Sequence, residues 1–115
     1  MKNDEKLVVL WTSSDIEVAL KMVFMYTLNS KLKSWWEEVT LVVWGPSTKL
    51  LSENIEIQNY LRVIKESGVE VLACRACADE YGVTDILENK LELKVIYMGI
   101  PLTEYLKNGI KVITF

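Results

Sequence analysis

The chain has 115 residues, half of them hydrophobic and a quarter charged, which is typical of one globular domain with a single core. Its formal charge of −3 argues against a surface for nucleic acid or for an anionic membrane. The absence of histidine excludes Ser-His-Asp and Cys-His catalysis, and any histidine-based metal site within one chain.

The N-terminal stretch Met1–Lys6 is charged and leads directly into a strand, so we predict no signal peptide. No apolar run approaches the length that spans a membrane. We therefore expect a single domain over residues 1–115 in the cytoplasm, with no membrane partner and no nucleic-acid partner.

The first strand and helix are predicted from an apolar run and a cap. Lys6–Trp11 is almost continuously apolar, which indicates a strand buried on both faces. Ser14 and Glu17 then fit a capping box, so we predict a helix from Asp15 to Leu28. The helix carries two apolar surfaces, one of Ile16, Ala19, Leu20, Val23 and Thr27, the other of Val18, Met22, Met25 and Tyr26.

Two apolar surfaces are more than one small core needs, so we expect a homo-oligomer, either a dimer or a trimer. The first helix should contribute to the interface. Trp35 and Trp36 follow that helix, and we interpret them as packing at its end or as a subunit contact.

The middle of the chain repeats the strand and helix pattern. The predicted second strand, Val39–Trp44, ends in Gly45-Pro46-Ser47, a turn into a helix with proline near its start. An amphipathic helix follows and ends at Ser67-Gly68. The predicted third strand, Val69–Ala73, leads into a short helix that ends before Gly82.

The last third contains one more helical turn, two strands and a helix. Thr84–Glu88 is predicted as the helical turn, with Thr84 as its cap. Leu93–Tyr97 and Ile110–Phe115 are the predicted fourth and fifth strands. The helix between them closes at Asn108-Gly109.

Strands that alternate with helices along the whole chain predict the α/β class, a three-layer α/β/α sandwich around a mostly parallel five-stranded sheet. Ligands of such folds bind beyond the carboxyl ends of the strands. If three of these ends converge, they form a small pocket for a sulfur anion or a thiolate. The candidate ligand-binding residues there are Ser13, Ser14, Gly45, Ser47 and Arg75.

Both cysteines, Cys74 and Cys77, stand in a C-x-x-C motif where the third strand gives way to a helix. A helix N-terminus favours the thiolate, so we predict that Cys74 and Cys77 are catalytic. The alternatives for Cys74 and Cys77 are inert core contacts, and for Arg75 a solvated side chain. One C-x-x-C supplies two of the four ligands of a structural zinc site, so we predict no metal and no cofactor.

Several pieces of the sequence together resemble the DsrE-like (DsrE/DsrF-like) proteins. They are the first strand ending in hydroxyl residues, the second ending in Gly45-Pro46-Ser47, the third followed by Cys74 and Gly82, and the ending Tyr97-Met98-Gly99-x-Pro101-Leu102-Thr103-Glu104-Tyr105-Leu106 with Thr114-Phe115. The resemblance covers essentially the whole chain.

The resemblance implies an α/β/α fold, oligomeric assembly and, in catalytic members, a sulfur relay. In such relays, which serve sulfur oxidation and tRNA thiolation, a cysteine accepts sulfane sulfur as a persulfide and passes it to a partner. That cysteine follows the third strand, eight residues before a glycine, so the role maps to Cys74 relative to Gly82. Cys77 lies outside the pattern and admits a disulfide or trisulfide step. The implied partners are sulfur-donor and sulfur-acceptor proteins.

Three other interpretations remain. A thioredoxin-like oxidoreductase also places C-x-x-C on a helix, but after an early strand of its fold. A receiver domain requires a carboxylate at the end of the third strand, where this chain has Cys74. A non-catalytic oligomeric protein of the same fold would bind a small ligand. Thiol reactivity distinguishes this alternative, because a sulfur carrier requires at least one thiol that is alkylated quickly at neutral pH.

Overall fold

The computed structural model describes residues 3–115, so Met1 and Lys2, at the start of the charged N-terminal stretch, lie outside the described residues. A short 3-10 turn, Asn3–Glu5, precedes the first strand. The strands of this region are β1 Lys6–Trp11, β2 Glu38–Val43, β3 Glu70–Cys74, β4 Lys94–Ile96 and β5 Lys111–Thr114. The α-helices are α1 Ile16–Val18, α2 Phe24–Leu32, α3 Pro46–Glu53, α4 Ile55–Glu66, α5 Arg75–Tyr81 and α6 Gly99–Lys107. No helix among the described residues is both long and apolar enough to cross a membrane.

The five strands form one sheet in the order β4-β3-β2-β1-β5, and every neighbouring pair is parallel. The predicted three-layer α/β/α fold is therefore confirmed, with a sheet that is parallel throughout. From β1 to β4 the chain moves one strand at a time toward one edge, and it then crosses to the opposite edge for β5. Because parallel crossovers share one hand, this reversal places α6 on the face opposite the other helices.

The core divides between the two faces of the sheet. On one face, alternate strand residues such as Val9, Leu41 and Ala73 pack with buried residues of the earlier helices, including Phe24 and Leu61. On the other face a smaller apolar cluster packs against Leu102 and Tyr105 of α6, and its buried members are Val8, Leu10, Val42, Leu72, Cys74 and Met98. The central strands β1 and β2 are buried on both faces, as their continuous apolar sequence predicts.

The first helix is longer than predicted and is interrupted by a π-helical turn. It runs through residues 16–32, and a π-helical turn at Ala19–Val23 joins α1 to α2. In that turn the Phe24 N–H donates to the Ala19 carbonyl, five residues back. The extra residue rotates the two ends of the helix relative to each other. As a result Phe24, which lies on neither predicted surface, is buried in the core, while Ile16 of the first predicted surface is 36% exposed.

The predicted caps of two helices are wrong. Asp15, and not Ser14, caps the first helix, because its carboxylate accepts from the N–H groups of Glu17 and Val18. Thr84 does not cap the turn that follows α5, because its hydroxyl donates to the Asp79 carboxylate. That turn continues as a π-helical segment, Ile86–Lys90.

The cap can be tested by comparing two adjacent substitutions. Asp15→Ala removes the acceptor of two helix N–H groups and should lower the free energy of unfolding by about 0.5–2 kcal/mol. Ser14→Ala is the matched control and should have little effect, since the Ser14 side chain is exposed and is not the cap. Urea unfolding measures both variants, and a larger loss in Ser14→Ala would contradict the assignment.

Candidate functional site

The strand order brings three carboxyl strand ends together. β2 lies between β1 and β3, and all three run in the same direction. Three segments therefore lie side by side beyond the carboxyl ends of the strands. They are the loop after β1, the turn after β2 and the cysteine segment after β3. This convergence, which the sequence left open, places Gly45 next to the C-x-x-C motif.

Cys74 is the last residue of β3 and immediately precedes α5. Its thiol is free, but the residue is only 4% exposed. It packs on the α6 face of the sheet among Leu72, Val42 and Met98. The Cys74 side chain therefore has little direct access to solvent.

Cys77 lies in the first turn of α5, is also free, and is partly exposed. Its Sγ accepts a hydrogen bond from the Gly45 N–H, with a donor-to-sulfur distance of 3.3 Å. It packs against the apolar cluster that contains Cys74, and we refer to the two thiols as the pair. The partly buried Trp44 and Ile96 pack on the same apolar cluster as Cys77.

The backbone conformation of Gly45 explains why a glycine stands at this turn. It precedes α3 with φ of 71° and ψ of −141°, a region that residues with a side chain rarely adopt. Pro46 then begins the helix, as predicted. This turn aims the Gly45 N–H at the Cys77 sulfur instead of into a helix or strand.

The environment of Cys77 raises its thiol pKa above the ordinary value of 9.0. Burial is the largest cause, and Cys74 and the negative charge of Glu80 act in the same direction. The Gly45 hydrogen bond lowers the pKa but does not outweigh them. We expected the helix N-terminus to favour thiolate, and for Cys77 that expectation is wrong because desolvation dominates.

Ser47 and Ser13 have structural hydrogen bonds. Ser47 is fully buried, and its hydroxyl donates to the Trp11 carbonyl at 2.6 Å while accepting from the Trp44 N–H at 3.2 Å. These bonds tie the end of β1 to the end of β2. The Ser13 hydroxyl accepts from the Asp15 N–H at 3.1 Å and so helps to shape the start of the first helix. Neither hydroxyl is seen to point at the thiol pair.

Ser14 and Arg75 also lie apart from the two sulfur atoms. Ser14 is exposed and lines a shallow groove with Pro46, Lys49 and Tyr81, and neither cysteine lines that groove. The Arg75 guanidinium pairs with the Glu88 carboxylate and donates to a main-chain carbonyl of β4, each at 2.9 Å. Of the predicted ligand-binding residues, Gly45 is the one seen to hydrogen-bond to a cysteine sulfur.

Within residues 3–115, no group of three or more Cys, Asp or Glu side chains is placed to hold a metal ion. The cysteine pair alone offers two sulfur ligands, fewer than a closed zinc site requires.

Glu80 is the residue at this site that sequence reasoning missed. It is exposed on α5, and its negative charge helps to raise the pKa of the Cys77 thiol. The signal was present in the spacing, because residues three apart on a helix lie on the same side.

The sequence pattern of the DsrE/DsrF-like family matches residues 6–115. The chain belongs to the DsrE/DsrF-like family. A relative of this family member, the uncharacterized protein MJ0733 of Methanocaldococcus jannaschii, is 31% identical over 98 residues, which cover 79% of this chain and 78% of that protein.

Solved structures show the same fold. A conserved protein of unknown function from Bacteroides thetaiotaomicron, BT1422, is 40% identical with a TM-score of 0.93, covering 96% of this chain and 95% of that one. MTH1491 of Methanobacterium thermoautotrophicum is 18% identical with a TM-score of 0.78, over 97% of this chain and 100% of that one. The E. coli ychN protein is 17% identical with a TM-score of 0.71, over 96% and 98%. The last two likenesses concern the fold alone.

The electrostatics of Cys77 predict how its alkylation depends on pH and charge. The rate should rise with pH through the neutral range and level off only above 9.0, because the raised pKa keeps the thiol protonated at lower pH. Glu80→Gln should speed alkylation roughly two-fold at mildly alkaline pH, as expected for loss of an exposed charge. Peptide-resolved iodoacetamide labelling measures both effects.

Glu66→Gln provides the matched control, because it removes the same charge at a distant position. Glu66 ends α4 just before β3 begins, at the amino ends of the strands. An equal acceleration in both variants would contradict a local effect of Glu80.

Proposed function

We propose that this protein is a sulfur carrier of the sulfurtransferase type, which accepts sulfane sulfur as a cysteine persulfide and passes it to a partner protein. The observation that carries the proposal is that two free thiols, Cys74 and Cys77, lie in one apolar cluster where β3 gives way to α5. Membership of the DsrE/DsrF-like family supports it. The proposal places the protein in the cytoplasm, where thiols are kept reduced.

The reaction is a thiol exchange that requires no metal or redox cofactor. A thiolate of the pair attacks the terminal sulfur of a donor persulfide, a new S–S bond forms, and the donor's S–S bond breaks. The donor leaves as a thiol, and the protein holds one additional sulfur. A thiol of an acceptor protein then takes that sulfur by the same exchange in reverse.

The Gly45 N–H supports this chemistry because it donates a hydrogen bond to Cys77 Sγ. A hydrogen bond from a backbone amide stabilises a sulfur that bears negative charge more than a neutral one. The same bond therefore favours the attacking thiolate.

The sulfur load can be measured as an increase of intact mass after incubation with cysteine persulfide. The wild type should gain one sulfur, and the gain should disappear on treatment with a reductant. The variant Cys74→Ser/Cys77→Ser should gain none, because it has no thiol left. If the wild type is not loaded by persulfide or polysulfide donors, the carrier proposal fails and the non-catalytic binding protein is favoured.

We further propose that the chain assembles as a homo-oligomer, a dimer or a trimer, through the second apolar surface of its first helix. Met22 and Met25 are each 49% exposed, and Trp35 beside them is 52% exposed. Together with Ile113 and Phe115 of the β5 edge they line a mostly apolar depression. An apolar surface of this kind is typical of contacts between subunits.

Sedimentation velocity at micromolar concentration should therefore show an oligomer. Met22→Glu with Met25→Glu should shift it toward monomer, because both charges would have to be buried in the interface. Leu32→Glu is the control, since Leu32 is 62% exposed on the same helix but does not line the depression. A wild type that sediments as a monomer would refute the assembly.

A further inference from the structure

The two thiols of the pair differ in their access to a reactant. Cys74 is 4% exposed and is enclosed by apolar side chains beneath α6. Cys77 is partly exposed, and its sulfur is the one that receives the Gly45 N–H. A sulfur donor approaching from solvent therefore reaches Cys77 first.

We propose that Cys77, and not Cys74, is the thiol that receives the incoming sulfur, and that Cys74 is the resolving thiol. The inference rests on the proposed sulfur-carrier function and assigns the order of its steps. It reverses the roles that the family resemblance implies, in which the cysteine directly after the third strand carries the persulfide.

The first step is Cys77–SH plus R–S–SH giving Cys77–S–SH plus R–SH. Cys77 Sγ forms a bond to the donor's terminal sulfur, the donor's S–S bond breaks, and the leaving thiolate takes up the proton that Cys77 released. The Gly45 N–H, 3.3 Å from Cys77 Sγ, is positioned to stabilise the attacking thiolate. No oxidant is needed, because the sulfane sulfur only changes its partner.

Cys74 then determines how long the loaded state lasts. Its side chain lies in the same apolar cluster as Cys77, three residues away at the start of α5, and its thiol can attack Cys77 Sγ. This attack gives the Cys74–Cys77 disulfide, breaks the bond to the outer sulfur and releases hydrogen sulfide. The two thiols are oxidised and the sulfane sulfur is reduced to sulfide, so the electrons balance. An acceptor that takes the terminal sulfur before this attack leaves both thiols free for another cycle.

Single-cysteine variants separate the two assignments when each is incubated with cysteine persulfide and weighed intact. Cys77→Ser should fail to gain sulfur, whereas Cys74→Ser should load and hold the sulfur longer than the wild type. Cys74→Ala repeats the test without placing a hydroxyl in the apolar cluster, in case Cys74→Ser is unstable. Loading of Cys77→Ser, with none in either Cys74 variant, would overturn the assignment and leave the carrier function intact.

A second measurement does not depend on sulfur transfer, so the inference and the proposed function can fail separately. In the folded wild type, iodoacetamide should modify Cys77 at least about tenfold faster than Cys74, because reaction at a buried thiol requires local opening. Faster modification of Cys74 would overturn the assignment. Absence of sulfur loading in the wild type, with Cys77 still the faster thiol, would instead overturn the carrier function.

The role of the Gly45 N–H can be tested with two glycine variants. Gly45→Ala should displace the N–H and slow alkylation of Cys77, because the hydrogen bond lowers that thiol's pKa. Gly109→Ala is the matched control, since both glycines have φ of 71° and neither added Cβ meets an atom within 4 Å. An equal rate in the two variants would contradict the role of the amide.

Discussion

The adjacency of β2 and β3 is the constraint on which the site depends. Their parallel pairing, with Val43 opposite Ala73, sets the turn after β2 beside the start of α5. The buried Ser47 hydroxyl fixes the other side of that turn by donating to the Trp11 carbonyl at the end of β1. The turn is thus held from both neighbouring strands, and this orients the Gly45 N–H toward Cys77.

The reactivity of Cys77 depends both on its exposure to solvent and on the pKa of its thiol. Cys77 can be reached by a reactant, but burial and nearby negative charge keep its proton bound at neutral pH. A thiol with a higher pKa gives less thiolate, although the thiolate that forms is a stronger nucleophile. No histidine is present to act as a base of neutral pKa, so the Gly45 amide is the group seen to oppose desolvation.

The sequence predicted the fold well because the fold depends on local patterns. Continuous apolar runs identified the buried strands, and Gly82 and Gly45 marked the end of α5 and the start of α3. The cap of the first helix was misplaced by one residue because Ser14 and Asp15 are both good caps, and only the backbone geometry distinguishes them. The π-helical turn at Ala19–Val23 was not predicted, because regular α-helical spacing was assumed for the whole first helix.

The site was predictable only in part. The C-x-x-C spacing places Cys74 and Cys77 near one another, but it does not say which thiol is covered. Met98, which packs with Cys74, is distant in the sequence and comes from a segment that crosses to the opposite face of the sheet. The sequence suggested that the serine hydroxyls donate to a ligand. In the structure the Ser47 hydroxyl instead bonds to main-chain groups of Trp11 and Trp44, and sequence position alone could not identify these partners.

The measurement that tests this account most directly is the position of the added sulfur in the wild type. After brief exposure to cysteine persulfide and blocking of free thiols, trypsin would cut after Arg75 and separate the two cysteines onto different peptides. The account predicts the extra sulfur on the peptide that begins at Ala76 and contains Cys77, with Cys74 recovered as a blocked thiol. Extra sulfur on the peptide that ends at Arg75, with Cys77 unloaded, would contradict it.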